Sequence, residues 1–169
     1  MNSNLGTIVS PIASGFLSES NMVYVLDERA SGLDGGTFTS GGFYTRVMNT
    51  ERTNNIEGAS MLGNQLTLPA GKYYAECVAQ GFQVGKHQAI LINVTDGSTI
   101  LRGTVALTST GSAVQVPSVI TGYFTLDGEE AIEVRHRCST TNSGNGLGNA
   151  CGFGTKEKHM QLRVWKVGN

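Results

Sequence analysis

The most regular signal along this chain is alternation. From Ser118 to Leu126, Ile120, Gly122, Phe124 and Leu126 fall on one side of an extended backbone, and Val119, Thr121, Tyr123 and Thr125 on the other. Successive side chains of a strand point to opposite faces, so this pattern predicts a strand with one face against a core. Across the Asp127-Gly128 turn the pattern resumes: Ile132, Val134, His136 and Cys138 share one face, and Ala131, Glu133, Arg135 and Arg137 the other. At the C-terminus Met160, Leu162 and Val164 alternate with Gln161, Arg163 and Trp165 within a strand predicted over 160–167. The block 68–104 holds three more strand-like runs, at 73–79, 87–94 and 99–103, and its Asp96-Gly97 pair is a strong hairpin signal.

Earlier in the chain, 22–27, 43–48 and 65–68 also read as strands, with turns over 30–42 and a polar loop over 50–57. Apolar residues rarely recur at helical spacing, and no fixed-period repeat is present. The expectation is an all-β fold, a single antiparallel jelly-roll sandwich of about eight to ten strands. It occupies residues 21–169, behind a short N-terminal arm, residues 1–20.

Composition narrows the picture. The chain has 169 residues, 23 of them Gly and 3 Pro, with 15% charged residues and a net charge of −1. That length supports one domain with a substantial core. The charge balance argues against a nucleic-acid footprint and against a disordered acidic tail. No apolar run approaches the roughly 20 residues that cross a bilayer, so no membrane insertion is expected. Residues 1–20 lack the Lys or Arg of a secretory leader. They do carry Ile8, Val9, Ile12, Phe16 and Leu17, apolar enough to bury either as a first strand or against another subunit.

Candidate chemistry is sparse. His136 and Cys138 share a strand face and are of zinc-ligand type, but no CxxC or HxxxH spacing supports a metal site, and a hydrogen-bonded buried His is the simpler account. Glu129, Glu130 and Glu133 cluster near a turn, where ion pairing explains them better than a glycosidase acid pair. There is no Gly-x-Ser-x-Gly elbow. No catalytic residue, metal or cofactor is therefore assigned, and the chain is expected not to be an enzyme.

Arg135 and Arg137, with Lys86, Arg102 and Arg163 nearby, form either a solvated face or a site for an anionic glycan or an acidic partner. Cys138 and Cys151 bracket a Gly/Asn-rich segment, and they read either as a disulfide pinning it or as two buried thiols. The segment 142–149 lacks the Lys-Ser/Thr ending of a phosphate loop and reads as a flexible tip. Asn142, Asn145, Leu147 and Asn149 are accordingly the candidate recognition residues. Asn93-Val94-Thr95 matches a glycosylation acceptor and, without a leader, is read as chance.

Two resemblances follow from particular residues. Gly71-Lys72-Tyr73-Tyr74-Ala75 resembles the Gly-x-Tyr-x-Phe strand of tumour-necrosis-factor-like and complement-globular-head-like jelly rolls, with Ala75 where the family has an aromatic. The segments GGTFTSGGFYTR, NNIEGAS, QLTLPAGKYY, KHQAILINVTD, RHRCST and VWKV, within 22–167, are similar to jelly-roll modules of tailed-phage virion proteins. The likeness implies a homotrimer assembled through one sheet edge and its aromatic residues. It further implies a structural component of a bacteriophage virion, made in the host cytoplasm. Its N-terminal arm would dock on other virion proteins through Ile8, Val9, Ile12, Phe16 and Leu17.

Two roles are consistent with that implication. The leading one is a tail-fibre or spike head serving host attachment through a surface glycan or receptor, favoured by the usual placement of such modules on fibres. The other is a capsid decoration protein that stabilises the shell, favoured by the absence of a collagen stalk, coiled coil or shaft. A cellular carbohydrate- or receptor-binding module is a further alternative, and a hydrolase on the same scaffold is the weakest.

Overall fold

A computed structural model describes residues 17–169. Twelve strands form two antiparallel sheets, β1 Met22–Arg29, β2 Tyr44–Thr45, β3 Thr50–Asn54, β4 Ser60–Leu62, β5 Gln65–Leu68, β6 Gly71–Phe82, β7 Lys86–Asn93, β8 Thr99–Arg102, β9 Ala106–Leu107, β10 Gln115–Leu126, β11 Glu130–Cys138 and β12 Glu157–Gly168. The first sheet runs β10-β6-β12-β1-β3 and the second β4-β5-β11-β7-β8. In the second sheet β2 pairs the far half of β11 and β9 pairs the start of β7, so short strands share each flank. The path crosses between sheets at β1–β2, β2–β3, β3–β4, β5–β6, β6–β7, β9–β10, β10–β11 and β11–β12, which makes the sandwich a jelly roll. Asp127-Gly128 is one of these crossings rather than a hairpin.

The predicted inner faces meet in the core. Val23, Val25, Ala75, Cys77, Ile120, Phe124, Leu162 and Val164 come from the first sheet, and Leu66, Leu68, Ala89, Leu91, Ile132 and Val134 from the second. Tyr73 is wholly buried and stacks on Phe124 at 5.3 Å, with its hydroxyl donating to Pro69 O at 2.6 Å. Burial pushes its pKa up to about 12. The Asp96-Gly97 hairpin forms as expected between β7 and β8, with Gly97 N donating to Asn93 O.

Two expectations fail locally. The strand predicted over 43–48 shrinks to Tyr44–Thr45, because Arg46 turns inward and the Met48 amide is taken by the Asn64 side chain at 2.9 Å. The polar loop predicted over 50–57 contains β3, whose backbone pairs with Val23–Leu26. As an edge strand it has little apolar surface to reveal it. The three shortest strands (β2, β4 and β9) carry the count past the sequence-based range.

Candidate functional surfaces

The end of the sandwich beside β7 and β11 is held by buried polar groups. Arg46, just past β2, is 1% exposed. Its guanidinium donates to Gln80 O (3.1 Å), Leu147 O (3.0 Å) and His159 O (2.9 Å), tying β6, the 142–149 segment and β12 together. It also lies 3.4 Å from His136 Nδ1, and His136 Nε2 lies 3.0 Å from His87 Nδ1. A guanidinium can only donate, so His136 Nδ1 accepts, its Nε2 carries the proton, and His87 Nδ1 accepts in turn. Both rings are thus fixed as neutral Nε2–H tautomers. Burial, with the Arg46 charge behind it, lowers the His87 pKa to about 4 and holds His136 well below the usual histidine range. Arg46 itself is brought down to about 10 by burial, opposed by the charge of Asp27, and stays cationic at neutral pH.

This network corrects the reading of 142–149 as a flexible tip. Asn142 pairs with Phe38 through both backbone groups, and its side chain donates to Phe82 O at 2.9 Å. Leu147 N donates to Gly36 O while its carbonyl is clamped by Arg46. The Asn145 side chain donates to Asn149 Oδ1 at 3.0 Å, and Asn149 N donates to Gln115 Oε1 at 2.6 Å. Gly148, at φ +143°, lies so close to His159 that a Cβ would fall 2.3 Å from the ring nitrogen. The segment is a lid laid over the sandwich end. Gly146 and Gly148 serve close approach to Phe38 and His159, whereas Gly144, at φ +91°, has open space around it and serves the turn.

The bracketing cysteines are separate thiols. Cys138 is buried against Thr140 O and Phe38 O, whereas Cys151 is exposed. The loop is pinned by hydrogen bonds rather than by sulfur. His136, with both nitrogens engaged, has no coordination left to offer, and among the described residues no three His, Cys, Asp or Glu side chains converge.

The basic cluster divides. Arg163 lies on the first sheet, its guanidinium carbon 4.4 Å from the Tyr24 ring centroid. Arg135 is paired with Glu133. Glu133 faces outward as predicted yet is only 3% exposed, because Thr45, Gln65 and Arg135 cover it. Arg137 and Lys86 remain together on the outer face of the second sheet. They line a cleft of about 580 Å³ with Phe43 and Val105, and the Arg137 guanidinium carbon stands 6.0 Å from the Phe43 ring centroid. Arg102 shares that face but lies outside the cleft. Asn93 of the glycosylation match is 5% exposed and donates to Glu130, which leaves it inaccessible.

The outer face of the first sheet is built differently. Register places Met22 opposite Trp165, Trp165 opposite Tyr74, and Tyr74 opposite Tyr123, one row across β1, β12, β6 and β10. The rings touch, at 6.0 Å for Tyr74–Trp165 and 4.9 Å for Tyr74–Tyr123. Met22 and Trp165 are nearly covered, while Tyr123, on the edge strand, is 72% exposed. Nothing in the alternation of 118–126 marks Tyr123 as the end of an aromatic row, since the register of four strands creates it.

Of the residues expected in the N-terminal arm, Ile8, Val9, Ile12 and Phe16 lie outside the described residues, and Leu17 is exposed. The following turn, Glu19–Asn21, is capped by Ser18 and fastened to β12 by the Asn21 side chain on Lys166 O at 2.8 Å.

No protein-family model matches the chain, and no curated protein matches it. Among solved structures, crystal structures of murine APRIL at pH 8.0, 8.5 and 5.0 align with 86% of this chain and 98% of theirs. The identities are 12%, 11% and 12%, each with a TM-score of 0.49. This is a likeness in the course of the backbone and carries nothing about partners or activity.

Proposed function

We propose that the chain is a non-enzymatic recognition head that assembles as a homotrimer through the outer face of its first sheet. The observation that carries this reading is the row Met22–Trp165–Tyr74–Tyr123, ending in a largely exposed tyrosine on an edge strand. The exposed end of the row, Tyr123 with the half-buried Tyr74 beside it, is held in place by the nearly covered Trp165 and Met22, and tyrosine supplies large, stiff contact area with a polar tip. The resemblance of Gly71–Ala75 to tumour-necrosis-factor-like jelly rolls supports a three-fold arrangement through such an edge. The virion-like segments within 22–167 support placement on a phage particle, made in the host cytoplasm and docked through the N-terminal arm.

The test is the solution mass of the full chain and of a Tyr74→Glu/Tyr123→Glu variant. The wild type is expected at three times the mass of one chain, and the variant at one, with an unchanged β-sheet circular dichroism spectrum. A monomeric wild type overturns the trimer. Imaging of tagged protein on particles then separates a fibre head, seen at the tail, from a decoration protein, spread over the shell.

A further inference from the structure

We propose that the cleft on the outer face of the second sheet binds a sugar bearing a carboxylate, which rests on the reading of the chain as a recognition head. The floor of the cleft is set by register. Gln88 of β7 lies directly opposite Arg137 of β11, and Lys86, two residues before Gln88, points to the same side. One wall is the 40–43 segment, with Ser40 and the half-exposed ring of Phe43, and the other is Val105, 75% exposed. At the neighbouring strand spacing the two walls stand roughly 14 Å apart. The volume of about 580 Å³ lies within the span of small-ligand sites, roughly 300–1,000 Å³.

The charges give the ligand its sign. Lys86 and Arg137 are the only Lys, Arg, Asp or Glu side chains lining the cleft, and among the described residues neither has a carboxylate within ion-pair distance. Arg135, on the same strand face, shows the alternative, since Glu133 neutralises it. Two unopposed cations repel each other and attract an anion into the space between them. A planar carboxylate can take the Arg137 fork through two parallel hydrogen bonds while the Lys86 ammonium adds a point charge.

The walls give the ligand its body. The Phe43 ring and Val105 offer apolar contact for the C–H face of a pyranose, beside hydroxyl and amide groups that match its hydroxyls. Ser40 shares one hydrogen bond with Thr141 at 3.0 Å and keeps acceptor capacity for another. An anionic sugar uses all three features at once: charge, ring and hydroxyls.

The experiment titrates the full chain with 3′-sialyllactose, lactose and hexaglutamate in low-salt buffer, following chemical shifts. Sialyllactose is expected to bind at least about tenfold more tightly than lactose. Arg137→Glu and Lys86→Glu are each expected to weaken it about tenfold or more, and Phe43→Ala several-fold. Arg102→Glu, on the same face outside the cleft, is expected to leave binding within about twofold. Sialyllactose binding no tighter than lactose, or surviving Arg137→Glu in a folded protein, overturns the proposal. Hexaglutamate binding through Lys86 and Arg137 as tightly as the sugar also overturns it, reassigning the cleft to an acidic protein. The solution mass is read on the same samples. A monomer that still binds sialyllactose removes the trimer alone, and a trimer that does not bind removes the sugar site alone.

Discussion

The two outer faces of the sandwich differ in kind. On the first sheet a continuous row of apolar and aromatic side chains crosses four strands and ends exposed at Tyr123. On the second, a polar face is broken by a cleft where Lys86 and Arg137 stand without acidic partners beside Phe43. A packed row of rings ending in an exposed tyrosine suits a protein contact, and an open cleft with concentrated charge suits a small anion. The lesson concerns environment rather than residue type. Arg46, Arg135 and Arg137 lie close in the fold and do three different things: one clamps carbonyls in the interior, one neutralises a covered glutamate, and one keeps its charge free.

If the faces are independent, disturbing their shared support should harm both, and disturbing either should spare the other. The largest effect is expected at Arg46. Arg46→Ala strands three carbonyls and the His136 lone pair in the interior, and should cost about 3–5 kcal/mol in urea unfolding. It should loosen the 142–149 lid, seen as faster amide exchange there. Acid should act on the same network. His87 is depressed to about 4 in the fold against about 6.5 in the unfolded chain. Its contribution is therefore complete above about pH 6.5 and declines as the pH falls toward 4, because the unfolded chain takes up the proton first. The midpoint of thermal unfolding should drop across that window and drop less in His87→Gln.

Gly148→Ala should destabilise by about 1–3 kcal/mol through its clash with His159 and its left-handed backbone. Smallest of all, Arg137→Glu should change stability by no more than about 0.5 kcal/mol, since the residue is exposed and unpaired. A large destabilisation there would make Arg137 part of the scaffold and erase the contrast between the faces.

Much of the sandwich was legible from alternation, because Ile120, Phe124, Leu126, Ile132 and Val134, on the inward faces of 118–126 and 131–138, meet in the core. Burial of outward residues was not legible. Glu133 is covered by Thr45 and Gln65, which reach it only through pairings distant in sequence. The 142–149 segment has the composition of a free loop, yet its ordering groups, Arg46, Phe38 and Gln115, are all remote in the chain. The sequence groups Lys86 and Arg137 in one basic cluster, but the flanks at Phe43 and Val105 that make a cleft of them come from loops whose course no periodicity encodes.

The central claim is that the first sheet faces inward in an assembly while the second faces out. Pulsed electron–electron distance measurement tests it directly, with a spin label at Tyr123→Cys or at Arg137→Cys and Cys151→Ser removing the exposed native thiol. The account predicts one short inter-label distance for position 123, near the three-fold axis, and a much longer one for position 137. No inter-label distance at either position, or a shorter one at 137 than at 123, would contradict it.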